Sequence, residues 1–126
     1  MPSSPSDPPP YSASEDPTTL ATPPACIADF CLIPLGTATA SVAREVAAVQ
    51  RLLGKSGLSY QMHSAGTTVE GSWDDVMRAI GQCHALLHQN GVVRIQSDIR
   101  VGSRTDKTQR FRDKVEAVEK LLEGGE

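Results

Sequence analysis

The sequence predicts an α+β domain: four strands and two crossover helices in the order β-α-β-β-α-β, followed by one more helix. Three observations predict it. Eight of the nine prolines fall in the first 25 residues, which sets a leader (residues 1–25) apart from a domain (residues 26–126). Beyond residue 25, strand-like apolar runs and helix-like spacing follow one another in that order. Breaks at Gly36, Gly57, Ala65-Gly66, Gly71-Ser72, Asn90-Gly91 and Gly102 separate them.

The Pro/Ser-rich leader holds only Asp7, Glu15 and Asp16 as charges. Such a stretch cannot bury enough apolar surface to offset its ordering entropy, so disorder is expected. It lacks the apolar run of a secretory signal and the arginines of a transit peptide. No later segment offers the ~18 apolar residues that span a membrane. A soluble, cytoplasmic protein with no membrane partner is expected.

Residues 26–35, CIADFCLIPL, are apolar on both faces. That suits a central strand, which Pro34 should end. A loop of small residues leads to a helix over about 42–55, capped by Ser41 or Thr39. Val42, Val46, Val49 and Leu53 form its stripe, and Gly57 its left-handed terminus. Leu58, Tyr60 and Met62 then alternate with Ser59, Gln61 and His63, a half-buried strand. Ala65-Gly66 turns it into a partner strand, Thr67 to Glu70.

Ser72 should cap the second helix, with Asp74 and Asp75 in the first turn as the helix dipole prefers. Trp73, Val76, Met77, Ile80, His84 and Leu87 make its apolar face. The fourth strand covers about 92–101, with Ser97 interrupting its apolar side. The last helix, about 110–123, carries Phe111, Val115, Val118 and Leu122 on one face.

This order is the ferredoxin-like arrangement. Two right-handed crossovers put both helices on one face of a four-stranded antiparallel sheet, with the first and third strands central. The other face must meet water, a partner, a ligand or the last helix. A homodimer or homotetramer is therefore expected.

All three surplus negative charges lie in the leader, so residues 26–126 carry twelve basic and twelve acidic side chains. A neutral domain argues against a dominant nucleic-acid surface. Cys26, Cys31 and Cys83 have no zinc-like spacing, and read as reduced thiols in or near the core. His84 and His88 lie four apart on a helix, but no third ligand accompanies them, and no metal is expected. No catalytic set with geometric warrant can be assembled, so no enzyme activity and no cofactor is expected.

Several segments together resemble a known family. They are Ala28-Asp29-Phe30 with Ile33-Pro34-Leu35-Gly36-Thr37, Ser56 to Tyr60, Gly66 to Gly71, Trp73 to Met77, and Ile99-Arg100 with Arg104, Asp106-Lys107 and Lys114-Val115. The set is similar to the thiamine-binding-protein-like family, small ferredoxin-like domains from archaea, bacteria and yeast. The resemblance covers residues 26–123 and leaves out the leader. It implies the ferredoxin-like fold, assembly into dimers or tetramers, and binding of thiamine or a related pyrimidine without catalysis.

On that reading Glu70 faces the ligand: its carboxylate could bind an aminopyrimidine and oppose a thiazolium cation. Pro34, Gly36 and Thr37 lead into a helix N-terminus, whose free N–H groups can hold a polar group. Thr67 should lie nearer Pro34 than Glu70 does, and Met62 offers a soft apolar surface. Asp29, a charge in an apolar strand, needs a partner. Arg94 or Arg100 of the fourth strand could supply it, at a subunit interface. Alternatives are an RNA-binding module of the same topology, which needs aromatics on the central strands, and a structural or stress-related interaction protein with no small ligand.

Overall fold

The structure, a computed structural model, describes residues 16–124. The elements are β1 (Cys26–Leu35), α1 (Ala43–Ser56), β2 (Ser59–His63), β3 (Gly66–Gly71), α2 (Trp73–Gln89), β4 (Arg94–Gly102) and α3 (Phe111–Glu123). They form the ferredoxin-like α+β fold. The sheet order is β2-β3-β1-β4, with every neighbouring pair antiparallel.

The local signals act as their chemistry requires. Gly57 ends α1 at φ 82°, which only glycine adopts without a Cβ penalty. The Ser72 hydroxyl accepts from the Asp75 N–H at the start of α2. At α1 the helix begins one residue later than predicted, and the Ser41 hydroxyl accepts from the Ala43 N–H at 3.3 Å.

The core lies between the sheet and α1 and α2. Ala28, Phe30 and Val69 meet Leu53, Val76 and Cys83 there, all buried. Burial pushes the Cys83 thiol up to about 11, which keeps it protonated and inert. Ser97, the break in the apolar side of β4, faces His84, whose Nε2 lies 3.0 Å from its hydroxyl. One polar residue on each element satisfies the other.

One expectation needs revision, and one open alternative is decided. Residues 1–15 of the leader lie outside the described residues. Its remainder is tied to the domain: the Thr22 hydroxyl donates to Asp74 at 2.9 Å, and the Trp73 N–H donates to the Pro23 carbonyl at 3.1 Å. Pro17–Thr19 forms a 3₁₀ turn capped by Asp16. The ordered chain thus begins before residue 26. The last helix does not cover the open sheet face. None of its residues is buried, and Val115, Val118, Leu121 and Leu122 are 55–69% exposed.

Candidate functional site

Strand pleating decides which predicted site residues meet. Side chains two apart share a face, so Thr67 and Val69 point to the helices while Thr68 and Glu70 point to the open face. Thr67 and Glu70, three apart, therefore stand on opposite faces of the sheet.

Glu70 is accordingly not part of a site with Pro34 and Thr67. Its side chain is 11% exposed and both oxygens are engaged by the start of α3. The Phe111 N–H donates to Oε2 at 2.9 Å and Arg110 Nε–H donates to Oε1 at 3.0 Å. A carboxylate at a helix N-terminus satisfies an orphan donor and complements the dipole. Here Glu70 holds α3 to the sheet.

Thr67 has the opposite setting. It is 3% exposed, and its hydroxyl accepts from Gln50 Nε2 of α1 at 2.9 Å. Beside this pair a cleft of about 180 Å³ opens between the first half of α1, the far end of β1 and the β2–β3 turn. Leu32, Pro34, Val42, Val46 and Val49 supply apolar walls, and Glu45 stands among them. Met62 pairs with Thr67 across β2–β3 but is 51% exposed and does not line the cleft.

Gly36 and Thr37 line a different, shallower recess of about 490 Å³ between the β1–α1 loop and the residues before β4. The Thr37 hydroxyl donates to the Thr39 carbonyl at 2.9 Å. Glu45 lines both the recess and the cleft. The predicted loop residues are thus divided between two depressions that share one carboxylate.

The sequence reading missed Gln50 and Glu45. Gln50 is four residues from Val46 and three from Leu53, which places it on the face of the α1 stripe. The helical spacing held that signal.

Asp29 finds its partners on the open face. In register it opposes Arg100, with Nη2 and Oδ2 3.9 Å apart, while its other oxygen lies 2.7 Å from His63 Nε2. His63 pairs in register with Gly66, where a Cβ would come within 2.6 Å of the Phe30 carbonyl oxygen. Arg94 opposes Leu35 at the other end of β4 and takes no part. A depression of about 310 Å³ adjoins Asp29, Cys31, Asp98 and Arg100. Phe30 faces the helices and is buried, so it offers RNA no stacking surface.

Among the described residues no cluster of three or more His, Cys, Asp or Glu side chains could hold a metal, and no helix is long and apolar enough to cross a membrane.

A family model for thiamine-binding proteins matches residues 28–119, from β1 into α3. This chain belongs to the thiamine-binding protein family. Family relatives include the UPF0045 protein ECM15 of Eremothecium gossypii, 48% identical over 96 residues, which are 76% of this chain and 91% of that one. A Synechocystis UPF0045 protein is 45% identical over 97 residues, 77% of this chain and 79% of that one. Among solved structures, the Methanocaldococcus jannaschii protein MJ1052 matches with a TM-score of 0.69 and 28% identity, over 76% of this chain and 97% of that one. A Thermotoga maritima protein provisionally assigned to thiamine biosynthesis or salvage shares the fold at a TM-score of 0.65 and 16% identity, over 75% of this chain and 99% of its own.

Proposed function

We propose that this family member binds thiamine or a related aminopyrimidine without chemically changing it, with the ring in the cleft beside Gln50 and Thr67. The observation that carries the reading is that cleft: an apolar slot with one hydrogen-bonding pair at its side, in a chain of the thiamine-binding family. Drug-sized ligands occupy about 300–1,000 Å³, so about 180 Å³ suits a single substituted ring. Gln50 spends an amide N–H on Thr67 and can turn its carbonyl oxygen toward an amino group. Glu45, shared with the neighbouring recess, is the carboxylate available to a cationic second ring. It takes the electrostatic role first expected of Glu70.

Titration calorimetry and thermal shift with thiamine, its phosphates and hydroxymethylpyrimidine test the reading. Ligand at 100 times Kd should stabilise the fold by about 2.7 kcal/mol. Gln50→Leu should weaken pyrimidine binding, and Glu45→Gln should weaken thiamine more than the neutral pyrimidine. No stabilisation by any of these ligands at millimolar concentration overturns the reading.

We also propose that copies of the chain meet over the open sheet face. Ile33 and Leu35 of β1 are exposed there among polar neighbours, and α3 presents an apolar stripe that touches no core.

A further inference from the structure

A ring in the cleft leaves the neighbouring recess without a role. Two charged side chains line that recess, Glu45 and Arg94. They make no ion pair with each other, and Arg94 enters none with any other described residue. A guanidinium presents a planar fork of donors that matches phosphate oxygens.

The surroundings favour an anion on the Arg94 side. The first turn of α1 borders the recess at Glu45. Val42 supplies no side-chain cap there, and the Ser41 hydroxyl serves the Ala43 N–H alone. The Arg44 and Glu45 N–H groups have no partner among the described residues, which leaves a partial positive charge at this helix end. The last carbonyls of α2, which would repel an anion from the other side, are taken up by the N–H groups of Asn90, Gly91 and Val92.

The charges also stand in an order. Apolar walls and the Gln50–Thr67 pair come first, Glu45 lies where cleft and recess meet, and Arg94 comes last. A complementary ligand carries an uncharged hydrogen-bonding ring, then a cation, then an anion. Thiamine alone leaves Arg94 unanswered. A phosphorylated pyrimidine without the second ring sets its phosphate beside the Glu45 carboxylate, a like-charge contact that disfavours it.

We propose that the recess takes the phosphate of a thiamine phosphate ester, with Arg94 as its counter-ion. The inference rests on the cleft reading and names the phosphorylated form as the preferred ligand.

The dimensions agree. Phe30 pairs with Thr67 and Leu35 with Arg94, and five residues of strand at about 3.3 Å each set these pairs ~17 Å apart. Two rings, a two-carbon arm and the arginine side chain together span that length, whereas a single ring does not. Arg94 is exposed, so salt should screen its attraction for the phosphate.

The test is calorimetry of the full chain in phosphate-free buffer with thiamine, thiamine monophosphate and thiamine diphosphate. Both esters should bind at least about tenfold more tightly than thiamine, or about 1.4 kcal/mol, and the advantage should shrink as salt is raised. In Arg94→Gln the ratio of ester to thiamine affinity should fall toward one, and Arg94→Lys should give an intermediate ratio. In Glu45→Gln the ratio should rise, because the carboxylate nearest the phosphate has lost its charge. Equal affinity for thiamine and its esters overturns this inference and leaves the cleft reading standing. So does an ester preference that survives Arg94→Gln. No binding of any of the three overturns both.

Discussion

Replacing Glu70 with Gln keeps the side chain's shape and removes its charge, and so distinguishes an anchor from a ligand contact. In the structure the carboxylate accepts the Phe111 N–H at 2.9 Å and Arg110 Nε–H at 3.0 Å. The Arg110 side chain is mostly exposed, so its share, as for a surface ion pair, should be below about 1 kcal/mol. The Phe111 bond ends on a nearly buried carboxylate. A hydrogen bond to a charged group contributes about 1.5–3 kcal/mol, of which an uncharged amide oxygen retains about half. The sum is a loss of about 1–2 kcal/mol, felt at the junction of α3. Because no residue of α3 is buried, the loss should appear as release of the helix rather than collapse of the sheet. Amide hydrogen exchange should speed up five- to thirtyfold across α3, the range about 1–2 kcal/mol implies, while the amides of β1 and β3 keep their protection. Thiamine affinity should be unchanged. Loss of that affinity with α3 exchange unaltered would refute the anchor and restore Glu70 to the site.

Three other outcomes are expected. Deleting residues 1–15 should leave the melting temperature unchanged, whereas deleting 1–25 should lower it, because the Thr22–Asp74 and Pro23–Trp73 hydrogen bonds go at about 1 kcal/mol each; calorimetric scans of both truncations decide. The side-chain hydrogen bond from Arg104 holds the Asp106 carboxyl down to about 2, below its ordinary 3.8. That clasp therefore acts fully above about pH 4 and is lost as pH falls toward 2, so an NMR titration should find the Asp106 midpoint near 2, and a midpoint near 3.8 would show that the clasp is absent in solution. Light scattering at micromolar concentration should give a multiple of 13.4 kDa, and a clean monomer mass would refute the open-face interface.

Local chemistry made most of the fold legible. The apolar run at 26–35 is β1, which continues through Pro34 to Leu35 rather than ending at the proline, Gly57 and Ser72 terminate and cap as their residue types dictate, and the order of elements fixes the topology. The boundary at the leader was harder to read, because Thr22 and Pro23 join the domain through long-range hydrogen bonds that composition does not encode. The site was legible in part. Pro34 and Thr67 do line one cleft, but Glu70, expected at the ligand from the family resemblance and its place at the end of a central strand, is three residues from Thr67, and a spacing of three in a strand crosses to the other face. The partner of Asp29 was half legible. Arg100 follows from antiparallel pairing, whereas His63 reaches Asp29 from β2, across β3, a contact that strand register does not encode. Val46, read as core, is 38% exposed on the cleft wall.

That last departure shows why this fold has a cleft where it does. β1 has ten residues and β3 six, and their pairing stops at Phe30↔Thr67. From Cys31 to Leu35, β1 is bonded to β4 alone and has become an edge. Pro34, which lacks an N–H, falls in this stretch, where edges tolerate it. On the helix side, α1 spans fourteen residues, about 21 Å, and its first half extends past the end of β3. Val42 and Val46 continue the stripe begun by Val49 and Leu53, over the stretch of β1 that β3 no longer flanks. An apolar surface with β3 missing beneath it, bounded by an edge strand and a hairpin turn, can close only by collapse or by taking a ligand. Collapse is resisted because the part-buried hydrogen bond between Gln50 and Thr67 fixes the spacing of α1 and β3, and repacking the helix over the gap would have to break it. The same bond should therefore govern both the width of the cleft and its preference for a ring bearing an amino group. Thr67→Val, which removes the hydroxyl and keeps the shape, should narrow the cleft and weaken ligand binding together.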